Sequence, residues 1–212
     1  VKHLKRLAVA CLLFALLPQR ADTQSVAGFG LIPATGSVTL QVFNTSANST
    51  YTPNANLLFA VVECVGQGGG GGGAAASATG GSSGGGGGAG SYSRVRLTAA
   101  QIGASQAVTN TAAANGGATG NNAGTAGNDT SLGTLCVGKG GSPGGGAAAN
   151  SAGTAGAGGV VGTGDFTVVG NAGGRGFSAS ITTADGHSGA GASGPWGGSE
   201  QGVDDAASAV NG

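Results

Sequence analysis

Charge is scarce in this chain: Asp, Glu, Lys and Arg together make up 8% of 212 residues. Aromatic residues make up 4%, there is one Trp and no Met, and Pro and Cys number five and three. Each shortage excludes something. Disordered chains are typically polar and strongly charged, and this one combines low charge with a slightly positive mean hydropathy. Collagen needs glycine at every third position and abundant proline, and neither is present. The longest apolar run outside glycine-rich sequence, Leu7–Leu17, is too short to span a bilayer. Four of the eight basic residues (Lys2, Lys5, Arg6 and Arg20) lie in the first twenty positions, so the remainder is mildly acidic. A mildly acidic chain lacks the basic face that nucleic acid requires, and anionic membrane surfaces are excluded on the same ground.

Catalytic and cofactor chemistry is equally thin. Lys139 stands in Val137-Gly-Lys-Gly-Gly141, without the hydroxyl neighbour or the helix of a phosphate loop. The two histidines, His3 and His187, cannot build a metal cluster, because His3 sits in the leader. Asp185 stands two residues before His187 and could orient it, but no Gly-x-Ser-x-Gly nucleophile accompanies the pair. The expectation is a protein that is not an enzyme and needs no cofactor.

Glycine is what the chain has. Of its 49 glycines, all but Gly28, Gly30 and Gly36 lie from Gly66 onward. Ordering a glycine costs roughly 0.5–1 kcal/mol more than ordering an alanine. The region is therefore either a flexible linker or a set of backbones that pack on each other and recover the cost in hydrogen bonds. Short β-type segments inside it favour order: Tyr92–Leu97, Thr130–Val137 and Asp165–Val169. Polyglycine can also form an extended helix of three residues per turn, with polyproline II dimensions but its N–H groups retained. The tracts Gly68–Gly73 and Gly84–Gly88 suit side-by-side packing of such helices, with Ala and Ser on outward positions.

Two more strands are expected before the glycines, an alternating Ser37–Phe43 and an apolar, β-branched Leu57–Val65. Asn44–Thr50 reads as a loop, Glu63 as an exposed strand position, and Leu97–Ala107 as helical composition cut short by Gly103. The fold class expected is all-β: a small β-sandwich-like unit with packed polyglycine-II-type extended helices and long loops. Residues 1–24 form a leader, 25–65 a β-rich segment and 66–212 a glycine-rich domain that makes one unit with 37–65. The leader has a basic start, an apolar run and Pro18, the layout of a secretory signal peptide; a misassigned start is the other reading. Outside it the cysteines are Cys64 and Cys136, either bridged, as suits an exported protein, or two buried free thiols.

The order of segments carries a resemblance. Thr50-Tyr-Thr-Pro53 precedes the apolar strand ending Val65-Gly66-Gln67 and its glycine run. Gly87-Gly-Ala-Gly-Ser-Tyr92, the strand Ser93–Leu97, Gly116-Gly117, Asn128–Leu132 and Gly140-Gly-Ser-Pro-Gly144 follow. This order resembles the glycine-rich domain of tailed-bacteriophage tail fibres and other tail appendages, over roughly Phe43 to Gly198. The resemblance implies a small β region followed by packed polyglycine-type helices, in a virion tail, with loops that meet a bacterial surface receptor. Such a receptor would be a glycan or an outer-membrane protein, and other tail proteins would be the remaining partners. Two features depart from that pattern, the signal-like leader and the absence of an apolar closing strand in Ser208–Gly212. The rival expectation is an exported glycine-rich structural protein of a cell surface or matrix.

Recognition of sugars and protein surfaces uses aromatic faces with polar neighbours. The C-terminal third concentrates these: Phe166, Arg175, Phe177, Asp185, His187 and Trp196. A receptor-binding surface is expected on Arg175, Phe177, Asp185, His187 and Trp196. The competing reading puts Phe166 and Phe177 in a minor core and lays Trp196 over the sheet.

Overall fold

The computed structural model describes residues 37–44, 47–78, 80–178, 186–195 and 204–205. The chain divides into two compact units, Val1–Val42 and Phe43–Gly212. In the first, the described residues 37–42 form neither helix nor strand, and Val38, Leu40 and Val42 are exposed. The expected strand Ser37–Phe43 is therefore absent. Alternating polarity makes a strand only where a neighbour takes up the backbone groups and one face is covered. The expected leader lies outside the described residues.

Among its described residues the second unit is all-β, with one short helical turn. Its strands are β1 (Ser49–Tyr51), β2 (Ala60–Val65), β3 (Tyr92–Leu97), β4 (Gln106–Thr109), β5 (Thr130–Leu132), β6 (Cys136–Gly138), β7 (Phe166–Val168), β8 (Phe177–Ser178), β9 (Gly186–His187) and β10 (Asp204–Asp205). They make three antiparallel sheets, ordered β1-β4-β5-β6, β2-β3-β7 and β10-β9-β8. The helical turn α1 (Ala99–Ile102) starts with a capping box, in which Thr98 Oγ1 accepts from Gln101 N–H and Gln101 Oε1 accepts from Thr98 N–H. It stops at Gly103, whose φ of 76° favours glycine.

Two sequence segments divide differently from expectation. Thr130–Val137 is a hairpin, because Gly133 at φ 52° turns the chain between β5 and β6. The polar stretch read as a loop ends in β1, which pairs with β4 through Ser49↔Val108 and Tyr51↔Gln106. Both β1 and β4 are short and half polar, so tertiary pairing outweighs their weak local preference.

The core lies between the first two sheets. Cys64, Val95 and Leu97 point inward from β2 and β3, Ile102 from α1, and Val108, Leu132 and Cys136 from the opposing sheet. A Cys64–Cys136 disulfide crosses this layer and closes a sequence separation of 72 residues. So small a core benefits from a covalent link; loss of chain entropy in the unfolded state alone gives about 4 kcal/mol for such a loop.

Beyond the core, the glycine-rich sequence runs in extended tracts that bond to one another by backbone. Gly66, Gly69 and Gly72 donate to the carbonyls of Ser91, Gly88 and Gly85, each at 2.8 Å. One residue on, Gln67, Gly70 and Gly73 donate to Asn128, Thr125 and Asn122 at 3.1, 2.9 and 2.8 Å. The return tract does likewise: Gly85, Gly88 and Ser91 donate to Gly145, Ser142 and Lys139. Gly86 and Ala89 donate to Gly174 and Asn171. The partner changes with each residue and recurs every third one, so each tract presents three rows to different neighbours.

The absence of Cβ atoms is what allows this spacing. A Cβ on Gly66, Gly69 or Gly72 would meet the backbone of Lys139, Ser142 or Gly145 at under 3.0 Å. On Gly84, Gly87 or Gly90 it would meet Gly72, Gly69 or Gly66. In the tract 66–73 one row is looser, as at Gly68 and Gly71, where the nearest atoms are carbonyl oxygens at 3.4 and 3.5 Å; in the tract 84–88 every glycine is tight.

Candidate functional surfaces

The described part of the expected recognition segment is tied to the glycine tracts. Gly174 N–H donates to Ala190 O at 2.7 Å, and Gly176 N–H donates to Gly153 O at 3.0 Å. Gly189 and Ala192 donate in turn to Gly84 and Gly87. Arg175 thus sits exposed between two anchored glycines. Phe177 and His187 are register partners across β8 and β9, with ring centroids 5.9 Å apart and a tilt of 52°. Phe177 is 57% exposed. Ser178 Oγ donates to Gly81 O at 2.7 Å and fixes the end of β8 on the neighbouring tract. The structure therefore brings Phe177 and His187 together on a supported ribbon, with Arg175 nearby in sequence. Asp185 and Trp196 lie outside the described residues.

A second surface escaped the sequence reading. It is the outer face of the sheet β2-β3-β7. Register places Glu63, Arg94 and Phe166 in one row across the three strands. Val65, Tyr92 and Val168 form the next row, and Val61 stands opposite Arg96. Arg94 Nε lies 3.6 Å from Glu63 Oε1. The Arg96 guanidinium sits 4.2 Å from the centroid of the Phe59 ring, and Arg96 N–H donates to Asp165 Oδ2 at 3.0 Å. Phe166 meets Tyr92 edge-on at 6.2 Å.

Tyr92 is buried at one end of this otherwise exposed face. Burial, then a hydrogen bond to Glu63 and the charge of that carboxylate, push its phenol above the usual tyrosine range, and Arg94 opposes them. Phe59, Val61, Val65, Phe166 and Val168 are all exposed. Phe166 therefore does not fill a core, and neither does Phe177. The signal that would have found this face is the Arg94-x-Arg96 alternation opposite Val61-x-Glu63, which means something only once the strands are paired.

A second charge pair among the described residues is structural. Lys139 Nζ donates to Asp129 Oδ2 at 2.7 Å, and Gly140 N–H donates to Asp129 Oδ1 at 3.0 Å. Burial alone would raise the Asp129 carboxyl, but these two hydrogen bonds and the Lys139 charge outweigh it and hold the group below the usual carboxylate range.

Comparison with protein-family models, with curated proteins and with solved structures finds no match for this chain. Its geometry is thus the ground for any functional reading. Among the described residues no group of three or more His, Cys, Asp or Glu side chains is placed to hold a metal ion. Among them, too, no helix is long and apolar enough to cross a membrane. Both thiols of the sequence-level pair, Cys64 and Cys136, are committed to the disulfide.

Proposed function

We propose that this chain is a phage or prophage tail-appendage protein whose glycine tracts form a scaffold of polyglycine-II-type helices and whose C-terminal loops bind a bacterial surface receptor. The observation that carries this reading is the three-residue period of backbone bonds between tracts, joined to exposed Arg175 and Phe177 on a stretch bonded to them, with the half-buried His187 against Phe177. A three-residue repeat is the helical period of polyproline II and its glycine counterpart. Loops held by a rigid scaffold are where binding residues concentrate. The role is binding rather than catalysis, at the host-recognising tip of the tail, with a glycan or outer-membrane protein as receptor and other tail proteins as neighbours. Nucleic acid has no part in it, and the mature chain does not insert into a membrane.

A test uses purified protein as a competitor of phage adsorption to its host. The wild-type chain should compete, and Phe177→Ala or Arg175→Ala should compete at least tenfold less well with unchanged melting temperature. Equal competition by both variants would remove the recognition role from these loops. The rival reading, an exported glycine-rich surface or matrix protein, is favoured by the disulfide together with the signal-like leader. Protein found in the cell envelope of a phage-free culture, and absent from virions, would decide for that reading.

A further inference from the structure

We infer that the outer face of β2-β3-β7 is a self-association surface, on which the occupant is a second copy of this chain. Its composition is that of a protein interface, where aromatic residues and arginine are enriched. Phe59, Val61, Val65, Phe166 and Val168 are exposed around Arg94 and Arg96. Exposed apolar groups gathered on one sheet face mark an interaction site.

Charge identifies the occupant. The face carries two arginines, Arg94 and Arg96, and two carboxylates, Glu63 and Asp165, so a partner of one sign meets repulsion as well as attraction. A second copy supplies the complement. Glu63 and Arg94 are direct cross-strand neighbours in the middle row. A two-fold axis parallel to the strands and between β2 and β3 lays Arg94 over Glu63 of a second copy, and Glu63 over Arg94 of that copy. The same axis sets Val61 against Arg96, so an aliphatic group meets the arginine stem. Isologous pairing of this kind needs a patch complementary to itself, and this row has that property. The face is narrow, three strands wide, which places the dimer among the weak interfaces. This inference stands apart from the tail reading and holds whether or not that reading survives.

Sedimentation of the full-length chain from roughly 1 μM to 1 mM tests it. The wild type should pass from monomer to dimer in this range, and added salt should shift the transition to higher concentration. Glu63→Arg and Arg94→Glu should each weaken the dimer at least tenfold, since each sets like charges against like. Mixing the two variants should restore association, because one copy then presents two arginines to two glutamates. Val61→Ser, at a 45% exposed position opposite Arg96 of the second copy, should also weaken association without touching charge. A wild type that stays monomeric throughout overturns the inference. So does a dimer that neither the charge variants nor Val61→Ser weaken, or charge variants that fail to recover on mixing.

Discussion

Glycine spacing gives the sharpest quantitative expectation, because the same substitution should change sign between two positions. Gly86 lies in the central tract, and a Cβ there would run into the backbone carbonyl of Ala190 and approach Gly189 O to 2.9 Å. All the obstructing atoms are backbone, so no side chain can rotate away. Overpacking of a well-packed site typically costs about 1–3 kcal/mol. Gly86→Ala should fall in that range, and Gly86→Val, with two further methyl groups, at several kcal/mol.

At Gly191 a Cβ meets nothing within 4 Å, and the backbone there is not in the left-handed region. Gly191→Ala should therefore stabilise, by about 0.4–1 kcal/mol, through the unfolded chain alone. Gly68→Ala, with its nearest atom at 3.4 Å, belongs between the two. For a chain of this size a kilocalorie moves the melting temperature by about 2–4 °C. Thermal unfolding of the three alanine variants should then order them Gly191, Gly68, Gly86, with at least about 3 °C between the extremes. Melting of Gly86→Ala and Gly191→Ala within a degree of each other would refute close backbone packing, as would random-coil exchange of the amides in Gly68–Gly73.

Reducing the Cys64–Cys136 bridge under denaturing conditions and refolding with the thiols blocked from reoxidation should lower unfolding free energy by about 4 kcal/mol in urea titrations; an unchanged midpoint would show that the link closes no entropically significant loop. Asp129 is held below its ordinary range, so its contribution is complete above the unfolded carboxylate value near 3.9 and is lost as pH falls through the lower native one. Asp129→Asn should thus destabilise by under about 1 kcal/mol at pH 7, given a half-exposed pair, with the difference shrinking below about pH 4. An NMR titration that finds the Asp129 carboxyl at or above the ordinary value would contradict this. Arg96→Ala should speed amide hydrogen–deuterium exchange in the stretch 57–61, since the guanidinium stacks on the Phe59 ring and holds it in place. Exchange identical to wild type would mean the stacking does not order this segment.

Glycine content and strand-like segments made an all-β fold legible from sequence alone, one nearly free of helix and short of side-chain core among the described residues. The reason is local: glycine removes the Cβ, β-branched runs such as Ala60–Val65 prefer extended backbone, and Gly103 ends a helix wherever it stands. Those constraints act within a few residues, and so they can be read along the chain. What only the tertiary structure decided depends on which distant segments meet. Ser37–Phe43 alternates as well as any strand here yet forms no strand, while the more polar Ser49–Tyr51 finds Gln106–Thr109. Cys64 and Cys136 became a bridge because their sheets face each other. Glu63, Arg94 and Phe166, spread over a hundred residues, became one row because register is set by neighbours and not by the strand itself.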